Sequence, residues 1–173
     1  MYTIWTIGHS TRSLTEFLQL LKTFEIELLV DVRHHPGSRK FPHFNKDNLA
    51  TSLPENGFDY KHIIDLGGRR KMEPNSKNDG WRLTSFRAYA DYMETTEFKT
   101  ALDQLKTLAT EKRTAIMCAE AVYWSCHRSL ISDALKVQGW EVLHIMNQKT
   151  ATEHPYTSPA KLVNGKLDYS KEK

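Results

Sequence analysis

A short segment between a predicted strand and a predicted helix brings together side chains that could transfer protons, bind anions or act as thiol nucleophiles. The segment holds both cysteines of the chain, Cys118 and Cys126, together with Glu120, His127 and Arg128. A carboxylate or an imidazole can transfer protons, and a guanidinium can bind an anion. A thiol beside a cation or a helix start ionises more easily and becomes reactive. These residue types at this spacing indicate a chemical site.

The elements around this segment place it at the edge of a predicted sheet. Thr114–Met117 is an apolar run typical of a buried strand, and residues 129–137 show the apolar spacing of a helix. The segment between them is therefore the loop at the carboxyl end of a strand, where open α/β sheets bind ligands. Its last residues reach the first turn of the helix, which offers free N–H groups and partial positive charge. We expect an anion to bind there.

Polar residues and glycines end the other predicted strands as well. These strands are Thr3–Ile7, Ile26–Val32 and Asp59–Ile64. The candidate residues at or after their carboxyl ends are His9, Ser10, Asp31, Arg33, Gly67, Gly68 and Arg69. Because the carboxyl ends of parallel strands lie at one edge of a sheet, residues distant in sequence would converge on a single cleft.

Strands and helices alternate along most of the chain. One helical pattern begins at the capping box Ser13-Leu-Thr-Glu16, and a last strand is predicted at residues 140–145. This order predicts a single three-layer α/β domain over residues 1–173, with a mainly parallel sheet of about five strands flanked by helices. Residues 146–173 show no periodicity and are expected to form an irregular tail packed near the site.

Each candidate also has a purely structural interpretation. Asp31 and Arg33 point to the same face of a strand, so an ion pair at the strand end is the commoner outcome. A second carboxylate at Glu120 favours a division of acid and base roles between it and Asp31. Free cysteines are often small buried hydrophobic residues. Arg128 could clamp Glu120 instead of holding an anion, and both interpretations stay open.

Basic residues cluster in two segments, although the net charge is only +3. Residues 33–44 mix arginine, lysine and histidine with two phenylalanines, and residues 69–71 read Arg-Arg-Lys. A cationic rim with aromatic side chains could hold phosphates and stack bases. A solvated charged loop is the commoner outcome for such a composition.

Composition and motifs argue against several classes of protein. The chain is 39% apolar and 26% charged, has no apolar run long enough to span a membrane, and begins without a signal peptide, so we expect a cytoplasmic globular protein. Cys118-Ala-Glu120 lacks the Pro-Cys-x-x-Cys half of a zinc-deaminase signature. Gly67-Gly68 lacks the lysine of a phosphate-binding loop. We therefore expect neither a metal nor a cofactor.

In these motifs the chain resembles the family called domain of unknown function 488. The matching segments are Thr6–Ser10, Leu29–Arg33 with Pro36 and Ser38, Leu66–Gly68, Cys118–Glu120 with Cys126–Arg128, and Glu153–Thr157. The resemblance implies the α/β fold, implies no settled activity, and adds Ser38, His154 and Tyr156 to the candidate ligand-binding residues. A weaker similarity to rhodanese-type sulfurtransferases lies in the Asp-Val-Arg after one apolar strand and the cysteine after a later one. The loop after that cysteine is longer than a rhodanese cradle.

The leading hypothesis is an enzyme that acts on a phosphate-bearing ligand, either a nucleotide or a nucleic acid. Arg33 and Arg128 would hold the anion, and Glu120 or Asp31 would transfer protons, as in hydrolysis of a base or a glycosidic bond. The cysteines would shape the pocket. The first alternative is thiol chemistry at one of the two cysteines, as in a sulfurtransferase. The second is a non-catalytic module that binds nucleic acid or nucleotide through the basic loops.

Overall fold

Helices and strands alternate in the computed structural model, which describes residues 1–171. In chain order they are β1 (Thr3–Gly8), α1 (Leu14–Thr23), β2 (Leu28–Asp31), α2 (Lys46–Glu55), β3 (Asp59–His62), α3 (Thr84–Tyr92), α4 (Thr96–Glu111), β4 (Thr114–Cys118), α5 (Arg128–Val137), β5 (Glu141–Ile145), β6 (Ala151–Glu153), β7 (Lys161–Val163) and β8 (Lys166–Asp168). This order confirms the predicted α/β class.

Six strands form one sheet in the order β3-β2-β4-β1-β5-β6. Strands β1 to β5 pair in parallel, and β6 pairs antiparallel with β5. All residues of β2 and β4 are buried, as expected for parallel strands covered on both faces. The mainly parallel sheet is thus confirmed, with one more strand than the sequence predicted.

Two apolar cores lie on opposite faces of the sheet and complete three layers. Helices α1 and α2 cover one face, where Phe17 and Leu53 are fully buried. Helices α3, α4 and α5 cover the other face through side chains such as Tyr89, Leu105 and Ile131. Helix α1 begins as predicted, because the Ser13 side chain accepts a hydrogen bond from the N–H of its third residue.

The chain leaves neighbouring strands towards opposite faces at the carboxyl edge of the sheet. Strands β1 and β2 are followed by α1 and α2 on one face, whereas β4, which lies between them, is followed by α5 on the other. Such a change of direction opens a crevice outside the strand ends, where ligands bind in open α/β sheets. The loop from Ala119 to His127 starts in this crevice.

Residues 146–171 are more regular than the sequence indicated. Strand β6 extends the sheet, and β7 and β8 form a separate two-stranded hairpin, so the prediction of an irregular tail is wrong for these three strands. Each strand has only three residues, which is too short to show an alternating apolar pattern. Backbone pairing with β5 forms β6, and side-chain patterns do not report such pairing.

Candidate functional site

A pocket of about 320 Å³ opens at the carboxyl edge of the sheet. It is bordered by the residues that follow β2 and β4, by Gly68 and Arg69, by residues of α3, and by residues 125–127, which directly precede α5. The candidates from the sequence that line it are Arg33, Gly68, Arg69, Cys118, Glu120, Cys126 and His127. Candidates from separate strand ends therefore meet in one pocket.

The loop after β4 is fixed against the end of β1. The N–H of His9 donates to the Cys118 carbonyl at 2.9 Å, and Ser10 continues this ladder by one residue. The Glu120 carbonyl then passes so close to Gly8 that a Cβ at that position would overlap it. The absence of a side chain on Gly8 therefore lets the loop lie against the sheet.

Arg128, the first residue of α5, is directed into this loop and is completely buried. Its guanidinium donates to Cys118 Sγ at 3.2 Å, to the Glu120 carbonyl at 3.0 Å and to the Ala121 carbonyl at 3.2 Å. It forms no salt bridge with a carboxylate in the described part of the chain. Arg128 thus clamps the loop through two carbonyl groups and the sulfur of Cys118.

The two cysteines are free thiols, almost fully buried, in the wall of the pocket. Burial alone would raise the pKa of Cys118, but a hydrogen bond from the Cys126 thiol and the charge of Arg128 outweigh it and lower that pKa below its ordinary value. Burial and the neighbouring Cys118 raise the pKa of Cys126 well above its ordinary value. Cys118 is therefore the thiol of the pair that ionises more easily.

His127 is held in one orientation beside the thiols. Its Nε2–H donates to the Val32 carbonyl at 2.8 Å, so Nδ1 is the unprotonated nitrogen of the neutral ring. Nδ1 lies 3.7 Å from Cys126 Sγ. Burial is the main cause that lowers the pKa of His127 to about 4, which keeps the ring neutral near pH 7. His127 therefore offers a hydrogen-bond acceptor, Nδ1, in the pocket.

Asp31 and Arg33 form a buried bidentate ion pair. Arg33 Nε donates to one oxygen of Asp31 at 2.9 Å and Nη2 donates to the other at 2.7 Å, while the Tyr60 hydroxyl donates to the latter at 2.6 Å. Asp31 has no exposed surface and does not line the pocket. The geometry therefore supports the structural interpretation of this pair. Arg33 reaches the pocket wall while it stays paired with Asp31.

Glu120 differs from Asp31 in both exposure and bonding. Its side chain is exposed and borders the pocket. Only its backbone carbonyl is engaged by Arg128, and its carboxylate has no hydrogen bond or salt bridge within residues 1–171. Of the two carboxylates proposed from the sequence, Glu120 is thus the one free to meet a ligand.

The free helix start at the pocket belongs to α3 and not to α5. In α5 the N–H groups of Arg128, Ser129 and Leu130 donate to Cys126 Sγ, the Cys126 carbonyl and the His127 carbonyl, so the expected free N–H groups are occupied. Helix α3 has no side-chain cap, and its residues 84–86 donate no backbone hydrogen bond within residues 1–171. Ser85 and Phe86 line the pocket, which places this positive helix end beside it.

Four candidates support the pocket from outside it. His9 is buried and stacks on Phe44 with ring centroids 4.4 Å apart. Its Nε2 accepts a hydrogen bond from Arg33, and burial lowers the pKa of His9 to about 4. Ser10 carries a backbone hydrogen bond to the β4 loop, and Ser38 organises its own loop by accepting N–H groups. A Cβ on Gly67 would clash with the backbone of residue 34.

His154 lies in a buried hydrogen-bonded chain outside the pocket. Its Nε2 donates to Asp133 at 2.8 Å, and its Nδ1 lies 2.8 Å from His144 Nε2. The other nitrogen of His144 lies 2.5 Å from the Thr6 hydroxyl, and burial lowers the pKa of His144 to about 2, so this ring stays neutral. Tyr123, from the loop after β4, stacks on His144 with centroids 3.8 Å apart.

The Asp133 end of this chain holds the C-terminal segment against α5. Asp133 accepts from the Thr157 N–H at 3.0 Å and from the Tyr169 hydroxyl at 2.8 Å, besides His154. Tyr156 lies under Lys136 Nζ, 5.0 Å from the ring centroid. None of the residues after 146 lines the pocket within the described chain. His154 and Tyr156 therefore have structural contacts outside the pocket.

Several pocket residues were not singled out from the sequence as site residues. They are His34, His35, Ser85, Phe86, Tyr89, Ala119 and Ser125. The two histidines stood inside the basic segment 33–44, so composition pointed to their region. Ser85 and Tyr89 belong to a helix whose position over the strand ends depends on the long connection from residue 67 to residue 83, and local patterns do not determine that path.

No group of three or more histidine, cysteine or acidic side chains among residues 1–171 is arranged to hold a metal ion. Within the same residues, every helix is too short or too polar to cross a bilayer.

Comparison with known proteins gives one match. The sequence model of the family described as domain of unknown function DUF488 matches residues 13–135, which is more than half of the chain. No curated protein and no solved structure matches, and similarity to rhodaneses is not shown. The matched range contains the ends of β2, β3 and β4, the pocket residues and Arg128, whereas β1 and β5 lie outside it. The chain therefore belongs to the family called domain of unknown function DUF488.

Proposed function

We propose that the pocket is the active site of an enzyme that acts on a phosphate-bearing ligand, either a nucleotide or a nucleic acid. One observation carries this proposal. The free first turn of α3, the side chain of Arg69 and the unpaired carboxylate of Glu120 border the same pocket. Groups that bind an anion thus lie beside a group that can transfer a proton.

The anion-binding part of the proposal rests on two kinds of positive charge. The N–H groups of residues 84–86 and the positive end of the α3 dipole attract a phosphate. Arg69 is exposed and has neither a hydrogen bond nor a salt bridge from its side chain within residues 1–171, so it can turn towards a ligand. Arg33 adds a fixed positive charge to the wall, partly neutralised by Asp31.

The catalytic part of the proposal assigns proton transfer to Glu120. A general acid or base must reach the reacting group, and Glu120 borders the pocket with its carboxylate unoccupied. Asp31 does not meet this requirement, since Arg33 and Tyr60 occupy its oxygens. Hydrolysis of a base or a glycosidic bond would then use Glu120 to activate water or to protonate the leaving group.

Binding and catalysis are tested by separate variants. Fluorescence anisotropy of labelled single- and double-stranded DNA and RNA, measured at several salt concentrations, gives the dependence of affinity on salt. Arg69→Ala should weaken binding and reduce the slope of log affinity against log salt by about 1, the effect of losing one phosphate contact. Arg82→Ala is the matched control, because Arg82 is exposed and lies outside the pocket.

The catalytic test follows products by chromatography after incubation with nucleotides and nucleic acids. Glu120→Gln should abolish product formation and leave binding unchanged, whereas the exposed Glu55→Gln at the end of α2 should leave both unchanged. Binding that survives in Glu120→Gln without any product from the unmodified protein would support the non-catalytic module instead. Binding that does not respond to salt, or activity that survives in Glu120→Gln, would contradict the proposal.

A further inference from the structure

We propose that Cys118 and Cys126 form a redox-active dithiol in the wall of the pocket, with Cys118 as the residue that attacks a hydroperoxide and Cys126 as the residue that closes the disulfide. The inference is independent of the proposed reaction at Glu120. It rests on the surroundings of Arg128, on the position of the two sulfur atoms and on the orientation of His127.

The first observation is a buried cation that has no carboxylate partner within residues 1–171 and that contacts a cysteine sulfur. Arg128 has no exposed surface and no carboxylate partner within residues 1–171, and Cys118 Sγ lies 3.2 Å from its Nη1. Its other acceptors are the carbonyls of Glu120 and Ala121, which are neutral. An unpaired buried charge is costly, so the guanidinium favours the ionised form of Cys118. The thiolate is the form of cysteine that reacts.

The second observation is that both sulfur atoms contact the same arginine. The backbone N–H of Arg128 donates to Cys126 Sγ at 3.5 Å, while its side chain donates to Cys118 Sγ. A low-pKa thiol beside a second thiol is the arrangement of redox-sensing cysteines. Both residues line the pocket, so a small peroxide can reach them although each is nearly buried.

The third observation is a hydrogen-bond acceptor beside the second thiol. Because Nε2–H of His127 donates to the Val32 carbonyl, Nδ1 is unprotonated and lies 3.7 Å from Cys126 Sγ. Once Cys118 has lost its negative charge by oxidation, Nδ1 becomes the acceptor that remains for the Cys126 proton. His127 can therefore accept a hydrogen bond from the Cys126 thiol while its ring stays neutral.

The chemistry balances with a hydroperoxide as the oxidant. The Cys118 thiolate attacks the terminal peroxide oxygen, an S–O bond forms, and the O–O bond breaks to release hydroxide or alkoxide, which takes a proton from solvent. Cys118 is then a sulfenic acid. The Cys126 thiol then attacks the sulfur of Cys118, an S–S bond forms, the S–O bond breaks, and the hydroxyl group leaves as water with the proton of Cys126. A thiol reductant returns both cysteines to the reduced state.

The experiment uses the full chain, whose only cysteines are these two, so each product can be assigned without ambiguity. The reduced protein is treated with hydrogen peroxide and analysed by intact mass and by titration of thiols after denaturation. We expect the loss of two hydrogen atoms from the monomer, the loss of both thiols and full recovery with dithiothreitol. The same reaction in denaturing urea should be slower, because unfolding removes the contact with Arg128.

Two variants then assign the roles of the cysteines. Cys126→Ser should accumulate a sulfenic acid at Cys118 that dimedone captures, and Cys118→Ser should leave Cys126 unoxidised under the same conditions. Circular dichroism checks that each variant is folded, and the result on the unmodified protein stands even where a variant does not fold. Thiols that persist in folded protein, a disulfide only between two chains, or Cys118 oxidised further while Cys126 stays free would each overturn the proposal.

Discussion

The carbonyl oxygen of Glu120 lies against Gly8, in the space that a side chain at Gly8 would need. Arg128 Nη1 would lie 2.7 Å from a Cβ atom at Gly8. The end of β1 is thus in direct contact with the loop that carries the candidate site and with the arginine that clamps it. Glycine is required there because of this close approach, which links the innermost part of the sheet to the shape of the pocket.

Gly8→Ala should destabilise the protein because the new methyl group overlaps the Glu120 carbonyl. The expected loss is about 1–3 kcal/mol in the free energy of unfolding, the range for overpacked positions. Gly37→Ala is the control, because nothing lies within 4 Å of a Cβ built at Gly37. Urea unfolding followed by circular dichroism gives both values, and equal midpoints for the two variants would show that the loop moves away without cost.

The parts of the fold that could be predicted from the sequence are those with a strong local signal. The strands β2 and β4 are continuous apolar runs, and Ser13 caps α1 as its spacing with Glu16 indicated. The convergence of Arg33 with Glu120 followed from the rule that parallel strands end at one edge. Strand β6 was not predicted, because its three residues pair with β5 through the backbone and show no apolar pattern.

The direction of individual side chains could not be predicted. The sequence alone did not decide whether Arg128 binds an anion or the Glu120 carboxylate. In the structure its guanidinium donates to two carbonyls and to a sulfur atom. Asp31 and Glu120 were equal candidates for proton transfer until burial and the hydroxyl of Tyr60 separated them. These outcomes depend on which chain segments pack together, and a single sequence without the fold does not specify such contacts.

Asp133→Asn should loosen the C-terminal segment. The two carboxylate oxygens of Asp133 accept hydrogen bonds from His154, Thr157 and Tyr169. An amide has only one accepting oxygen, so some of these buried donors lose their partner in the variant. We expect a loss of about 1–3 kcal/mol and faster proteolysis after residue 157. Asp103→Asn is the control, because the Asp103 side chain is 73% exposed. Unchanged proteolysis in Asp133→Asn would contradict the role of this anchor.

The neutral histidines predict a loss of stability in acid. Burial lowers the pKa of His127 from 6.5 to about 4, so between these values the unfolded chain binds a proton that the native chain does not. The free energy of unfolding should therefore fall as the pH falls from 6.5 to about 4, and His9 adds an effect of the same sign. The stability advantage of the unmodified protein over His127→Gln, measured by urea unfolding, should shrink across this window. A difference that does not change with pH would show that the pKa of His127 is the same in the folded and unfolded states.

The contact between Arg128 and Cys118 should appear as an energetic coupling. Cys118→Ala leaves the guanidinium without an anionic partner, and Arg128→Met removes the charge that favours the thiolate. The loss in the free energy of unfolding should therefore be smaller in the double variant than the sum of the losses in the two single variants. Coupling in contacting pairs is about 0.5–3 kcal/mol, and we expect it to grow as the pH rises and the thiolate forms. The control cycle pairs Arg128→Met with Cys126→Ala, since Cys126 contacts only the backbone of Arg128. If the effects in the Cys118 cycle add within about 0.5 kcal/mol, Cys118 is a neutral thiol and only the carbonyls hold the guanidinium. The assignment of an ionised Cys118 beside Arg128 would then have to be abandoned.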